Sequence, residues 1–191
     1  MFTKQEDIAG LEEKLGKPVV VDWHYEIHPW EYDVVDGSMC DGRAHDVTMF
    51  IHRKDDPREI AVISKSFFPP GAFRAPSGAA HPGEGLEKGA IREAYEETGL
   101  DIELTRYVAR INACFTCDGK TIGWTTHIFE ALQTDGVLDP KDTGEISEAR
   151  WATIDELKGE IRQVLLDANW DLFRYRVALT DLTVKAMEDG A

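Results

Sequence analysis

Residues 78–100 read GAAHPGEGLEKGAIREAYEETGL. The period over 85–98 predicts a helix, and Gly99 stops it. Inside it stand Glu93, Glu96 and Glu97, spaced i, i+3, i+4. At ~100° per residue these three fall within an arc of roughly 100° on one face. Like charges placed this way weaken a helix by roughly a few tenths of a kcal/mol per pair. They also sit toward the C-terminal end, where the helix dipole disfavours anions. Local physics therefore opposes the cluster. In an acidic chain the default reading of such a cluster is a solvated face without a role. The flanks argue otherwise. Gly78, Glu84 and Arg92 precede the glutamates, and Ala90, Ile91, Ala94 and Tyr95 give the same helix an apolar face that can anchor it on a sheet.

Working outward, residues 45–53 and 59–67 read as two strands joined by the polar hairpin loop Lys54–Arg58, and Pro69-Pro70-Gly71 ends the second. After the helix, 101–110 and 111–117 continue as strand. Residues 121–131 pair back across Asp118-Gly119, a strong hairpin turn. Ala149–Ala152 is a further short strand. Residues 153–168 and 170–187 are helical in period, with Ile154, Leu157, Ile161 and Leu165 and then Phe173, Val177, Leu179 and Leu182 as apolar positions. At the other end, 5–15 predict a short helix and 18–27 a strand. Pro29, Asp36-Gly37 and Asp41-Gly42 then signal turns. Strands joined largely by hairpins, with helices around them, make an α+β fold with a mixed sheet and exclude a doubly wound parallel one.

The whole chain has 191 residues, one domain's worth, and 42% of them are apolar. Its formal charge of −15 argues against a nucleic-acid partner and against docking on an anionic membrane. No apolar run approaches the ~18 residues of a membrane span. The opening residues are polar and acidic, unlike a signal peptide. Three cysteines, Cys40, Cys114 and Cys117, are too few and odd in number for a disulfide framework and fit a reducing cytoplasm. An anionic substrate would need a cation between itself and so acidic a protein.

Residues 78–100 resemble the Nudix box, Gly-x5-Glu-x7-Arg-Glu-U-x-Glu-Glu-x-Gly-U, with U a bulky aliphatic. Gly78, Glu84, Arg92, Glu93, Glu96, Glu97, Gly99 and Leu100 match at the required spacing. Ala94 departs, standing where the family prefers a bulkier residue. The flanking strands extend the resemblance over roughly 44–165, together with Ile146–Trp151 and the Asp155-Glu156-Leu157 step. It implies a Nudix fold, a mixed sheet sandwiched between helices, over 44–191, with 1–43 as an N-terminal extension. It also implies a pyrophosphohydrolase that uses Mg²⁺ or Mn²⁺. Such hard ions bind carboxylate oxygens and share a substrate's phosphates. Glu93, Glu96 and Glu97 would hold the metal with the carbonyl of Gly78, Arg92 would fix a glutamate's rotamer, and Glu84 would orient the cluster. The implied substrate is a small-molecule nucleotide, a nucleoside diphosphate linked to another group, with ADP-ribose or a nucleotide sugar first. Nucleoside triphosphates, dinucleoside polyphosphates and a non-catalytic nucleotide sensor are the alternatives.

Outside the box, Arg74 stands four residues before Gly78, where a guanidinium reaches phosphate as a bidentate donor or makes a surface ion pair. Trp124 is the candidate for stacking a base, ahead of Trp30 and Trp151. His81 meets either substrate or solvent. Glu145 is the candidate general base, ahead of Asp142 and Glu148 in the same region, with Glu96 next. Cys114-Phe-Thr-Cys117 and a Cys40–His45 pairing read as ordinary thiols before zinc ligands. Asn112 and Cys114 resemble the pair used by isopentenyl diphosphate isomerase, but they follow the glutamate helix instead of preceding it. His24, Glu26 and His28 alternate on one strand face, polar before metal-binding. The apolar alternation Val19, Val21, Trp23, Tyr25, Ile27 has no obvious partner and predicts a homodimer interface.

Overall fold

The computed structural model describes residues 5–39 and 42–189. The chain runs α1 (Gln5–Leu15), β1 (Val19–Glu26), α2 (Pro29–Gly37), β2 (His45–His52), β3 (Glu59–Lys65), β4 (Ser77–Gly78), α3 (Leu86–Thr98), β5 (Leu100–Cys117), β6 (Lys120–Gly136), β7 (Ile146–Thr153), α4 (Ile154–Lys158), α5 (Glu160–Asp167) and α6 (Asp171–Asp189). Seven strands form one sheet in the order β1-β5-β6-β2-β3-β7, with β4 against β2. The β1–β5 and β2–β6 pairs are parallel and the others antiparallel, so the sheet is mixed. No helix among the described residues is long and apolar enough to cross a membrane.

Period-two alternation divides the strands between two cores. Val47, Met49, Ile51 and Ala61 join α1 and α3 on one face. Phe50, Ile60 and Val62 join residues of α2, α4, α5 and α6 on the other. The sheet is thus covered on both faces, as the α+β reading requires.

β2 and β3 leave their loop as a hairpin but pair only at His52 and Ile60. Beyond that they splay, and residues 74–78 fill the split. Ile63 and Arg74 exchange both backbone bonds, at 2.8 and 3.0 Å, and Met49 N–H donates to Pro76 O at 3.0 Å. Val47 and Thr48 pair with Gly78 and Ser77. This wedge satisfies the inner edges of both strands and carries Arg74, Ser77 and Gly78 into the sheet.

Three expectations need correction. Residues 29–37, read as turns, form α2, because proline is tolerated in a helix's first turn, where no N–H is needed. The predicted helix 153–168 is two helices, broken at Gly159 with φ −108 and ψ −99. The strand at 18–27, thought to lack a partner, pairs with β5, and Val21, Trp23, Tyr25 and Ile27 of its apolar side pack on the core, while Val19 stays 52% exposed. Trp23 and Tyr25 meet Tyr175 of α6 at 5.9 and 5.6 Å between ring centres. Most of the apolar side that suggested a homodimer therefore packs inside one chain.

Candidate active site

Every site begins with what holds the glutamate helix in place. Gly99 takes φ 78 at the C-terminus of α3, and its N–H bonds Tyr95 O. A Cβ there would lie 2.5 Å from Asp139 O, so only glycine fits. The loop after β6 then meets the helix's open carbonyls. Asp139 N–H donates to Thr98 O, and Lys141 and Asp142 N–H both donate to Glu96 O, at 2.8 to 2.9 Å. These bonds fix the loop that carries Glu145.

Arg92 gathers the carboxylates. Its Nε and Nη2 meet both oxygens of Glu84, at 2.9 and 3.0 Å, and Nη2 also donates to Ala79 O. Its Nη1 donates to Glu93 and to Glu96, each at 2.9 Å. One guanidinium nitrogen thus holds two of the three clustered helix glutamates, and the hydrogen bond to Glu84, foremost, keeps Arg92 charged. Glu84 also accepts from His81 N–H and its carboxyl is held below the usual range, first by the Arg92 hydrogen bond. Glu84 thus shares the Arg92 guanidinium with Glu93 and Glu96. Glu93 accepts from Ala79 N–H at 3.1 Å. A Cβ on Gly78 would sit 2.0 Å from the Glu93 carboxylate, so this backbone and that carboxylate are pressed together.

Glu97 is 4% exposed. It accepts from Ser77 N–H at 2.7 Å and lies 3.7 Å from Arg74 and 3.9 Å from Lys65. Burial pushes its carboxyl up to about 7, against the pull of those two cations. Lys65 in turn pairs with the carboxylate of Glu145. Arg74 makes no surface ion pair; its guanidinium lies 3.7 Å from Glu97 inside the protein. It is buried, bonded to Ser77 Oγ at 2.6 Å and to Ala75 O, and its pKa falls to about 10 through burial.

These groups line a cavity of about 520 Å³. Gly78, Glu93, Glu96, Glu97, Arg92, Arg74, Glu145 and Trp124 all reach it, as do His81 and Asp142. Trp124 is only 8% exposed, its Nε1 donates to Asp46 at 3.0 Å, and Arg43 lies 5.2 Å over its ring. Asp46 also accepts from Thr126 and, at 2.9 Å, from Arg176. Burial alone would lift the Asp46 carboxyl, but Arg176 and the hydrogen bonds outweigh it and keep its pKa low.

The sequence reading missed several lining residues: Lys65, Asp46, Arg176, Phe67, Phe68 and Trp170. The Phe67-Phe68 pair just before Pro69 was a usable signal. Arg176 inside a helical run carried none.

Trp30 lines the cavity as well, and the remaining described candidates stay apart from it. Cys114 and Cys117 are free thiols three positions apart on β5, and Cys40 lies outside the described residues. Asn112 donates to Asp22 at 2.8 Å. His24 bonds Thr116, while His28 faces Asp171 at 3.6 Å. His28, Glu31 and Asp171 cluster, but both Glu31 oxygens accept backbone N–H bonds at the start of α6, so the cluster reads as a helix cap. Trp151 packs against the α1–α3 core under Arg53, and Glu148 lies within β7.

A family model described as the NUDIX domain matches residues 42–172. The chain is 34% identical over 86 residues to a putative mutator protein MutT4 of Mycobacterium tuberculosis (strain CDC 1551 / Oshkosh), covering 45% of this chain and 34% of that protein. It is 32% identical over 102 residues to the NAD-capped RNA hydrolase NudC of Chromobacterium violaceum, covering 53% of this chain and 36% of that one. It therefore spans about a third of the length of these two relatives. Among solved structures, a UDP-X diphosphatase aligns with TM-score 0.47 and 17% identity over 65% of this chain and 60% of its own.

Proposed function

The chain belongs to the NUDIX domain family, and from that premise we propose that it hydrolyses the pyrophosphate linkage of a small nucleotide derivative with the help of a divalent cation. The observation that carries this is the gathering of Glu93, Glu96 and Glu97 around Arg92 and the wedge, at a cavity that also holds Lys65, Arg74 and Arg176. The donor set fits the ion. It is all oxygen, which hard cations prefer, and the missing Cβ at Gly78 leaves the Glu93 carboxylate against open backbone. Glu93, Glu96, Glu97 and the Gly78 carbonyl would hold Mg²⁺ or Mn²⁺. When bound, the ion neutralises phosphate charge and lowers the pKa of a water.

The chain's own residues do the rest. Lys65 and Arg74 face the phosphates' negative charge, and Arg92 keeps the carboxylates in place. Glu145 accepts the proton of the attacking water as its oxygen bonds to phosphorus and the bridging P–O bond breaks. Lys65, already paired with Glu145, steadies the carboxylate that takes this proton. ADP-ribose or a nucleotide sugar is the first substrate to try. One relative's name speaks of capped RNA, but a charge of −15 repels a polyanion beyond the cavity, and this favours the free nucleotide. The test is phosphate or nucleotide release from a panel of ADP-ribose, nucleoside triphosphates and dinucleoside polyphosphates, with and without Mg²⁺. Turnover only with Mg²⁺ supports hydrolysis. Nucleotide binding without turnover of any of them points to the sensor instead.

A further inference from the structure

Lys65 is the cation that joins the glutamate helix to the loop of the candidate base. Its ammonium pairs with the carboxylate of Glu145 and lies 3.9 Å from that of Glu97. The three residues stand on separate elements: Lys65 ends β3, Glu97 belongs to α3, and Glu145 precedes β7. The side chain of Lys65 is 17% exposed and that of Glu97 6%, so water and salt screen this contact little. The other helix glutamates are served locally, since Glu93 and Glu96 share one nitrogen of Arg92 in the same helix.

The backbone fixes where Lys65 starts but not where its ammonium goes. Ala61 packs in the core beneath α3, and Lys65, four residues on, takes the same face of β3. The register with β7 then slips. Ser64 opposes Glu148 and Lys65 opposes Ile146, so Ser147 is the extra residue of a β-bulge. Ser147 Oγ donates to Ser64 O and Ser66 N–H donates to Glu145 O, each at 3.0 Å. The bulge thereby sets Glu145 beside Lys65, as such irregularities re-aim side chains near sites. Beyond it, Phe68 N–H donates to Lys65 O at 3.0 Å, and Phe67 lies nearly parallel to Trp170, which Trp30 meets edge-on at 4.9 Å between ring centres. The end of the strand is pinned, whereas the flexible stem of the lysine lets its ammonium swing. Arg74, 3.7 Å from Glu97, has no such freedom, because its guanidinium is bonded to Ser77 Oγ and Ala75 O.

We infer that Lys65 competes with the divalent cation for Glu97: the ammonium yields that carboxylate as the cation takes it, keeps Glu145, and so sets the cation concentration at which the site loads. Two cations brought to one carboxylate at short range repel each other strongly. Lys65 therefore weakens cation binding, the opposite of what a residue that merely braces the site does. The inference rests on the metal assignment proposed above, but its test reads binding and not turnover. Mn²⁺ is titrated into the full chain, and the free ion is followed by electron paramagnetic resonance. Lys65→Met keeps the length, removes the charge and should bind Mn²⁺ about tenfold more tightly than wild type. Lys65→Arg keeps the charge and should show no such gain. Lys141→Met removes an equal charge from the neighbouring loop, where Lys141 pairs with Asp139, and should leave the affinity unchanged. Equal or weaker binding in Lys65→Met, or the same gain in Lys141→Met, would overturn the competition. If neither wild type nor Lys65→Met binds Mn²⁺, the metal assignment falls and the inference with it. Tighter binding in Lys65→Met supports it even if no nucleotide is hydrolysed with Mg²⁺, a result that would remove only the hydrolase reading.

Discussion

The two walls of the cavity are built in opposite ways. The carboxylate wall comes from one unbroken stretch, Ser77 to Gly99, in which Arg92 reaches back to Glu84 and forward to Glu96. The aromatic wall draws on residues 30, 67–68 and 170–173, and on the distant pairs Asp46–Arg176 and Glu31–Leu172. The first is ordered by helix geometry, which acts over a few residues. The second exists only when the sheet and α6 are already in place. Chemistry should therefore be lost from the first wall without loss of fold, and fold from the second before chemistry.

The largest effect expected is on the second wall. Asp46→Ala leaves the partly buried Arg176 without its carboxylate, and breaking such a pair costs up to about 3–5 kcal/mol. Urea unfolding should show that loss, and a loss under about 1 kcal/mol would mean α6 is held by packing alone. The next effect is on the first wall. Glu97→Gln is nearly isosteric and should fold, yet turnover should fall by ~10² or more. Activity within twofold of wild type at saturating Mg²⁺ would remove the metal assignment. Glu145→Gln should also cut turnover sharply while Mn²⁺ affinity stays near wild type. Unchanged turnover would move the base to Glu96.

A smaller effect is expected where the first wall meets the sheet. In Gly78→Ala the new Cβ displaces the Glu93 carboxylate, and Mn²⁺ affinity should fall about tenfold. An unchanged titration would show that Glu93 does not ligate the metal in that position.

The last prediction separates the faces by pH. His127 is buried on the α1–α3 side with Tyr107 Oη 2.5 Å from its Nδ1, and burial, with His45 next, lowers its pKa to about 3. The Asp46 carboxylate pulls the other way, and Arg110 adds to the lowering. The unfolded chain binds this proton near pH 6.5 and the folded one does not until about 3. Stability therefore falls as pH drops from about 6.5, by roughly 1 kcal/mol per pH unit. The Asp46 carboxyl acts in the same sense at lower pH, whereas Glu97, pushed up to about 7, acts in the opposite one and gains stability as pH falls from about 7. The depressed pKa of Asp46 stabilises the fold above the unfolded carboxylate value, and that contribution is lost only as pH falls through the folded one. Urea midpoints should thus fall in wild type relative to His127→Gln between pH 6.5 and 5, since Glu97 contributes equally to both. An equal slope in both would place the acid sensitivity elsewhere.

Much of the site was legible before folding because its signals are local. Spacing of 3.6 residues per turn puts Glu93, Glu96 and Glu97 on one face whatever surrounds the helix, and period two separates Val47, Met49 and Ile51 from Phe50. The charge of −15 and the stop at Gly99 are equally independent of context. The rest was decided by tertiary structure. Nothing between residues 45 and 78 says that β2 and β3 will splay and admit the 74–78 wedge, since hairpin signals name a turn and not how far pairing runs. Glu31 looked like one surface carboxylate among many until α6 brought its first N–H groups to it. Trp30, Phe67 and Trp170 carry no shared period, because their meeting depends on where three elements end. A side chain's face along a helix or strand follows from backbone geometry alone, whereas its partners across the fold follow from which apolar faces the whole chain manages to bury together.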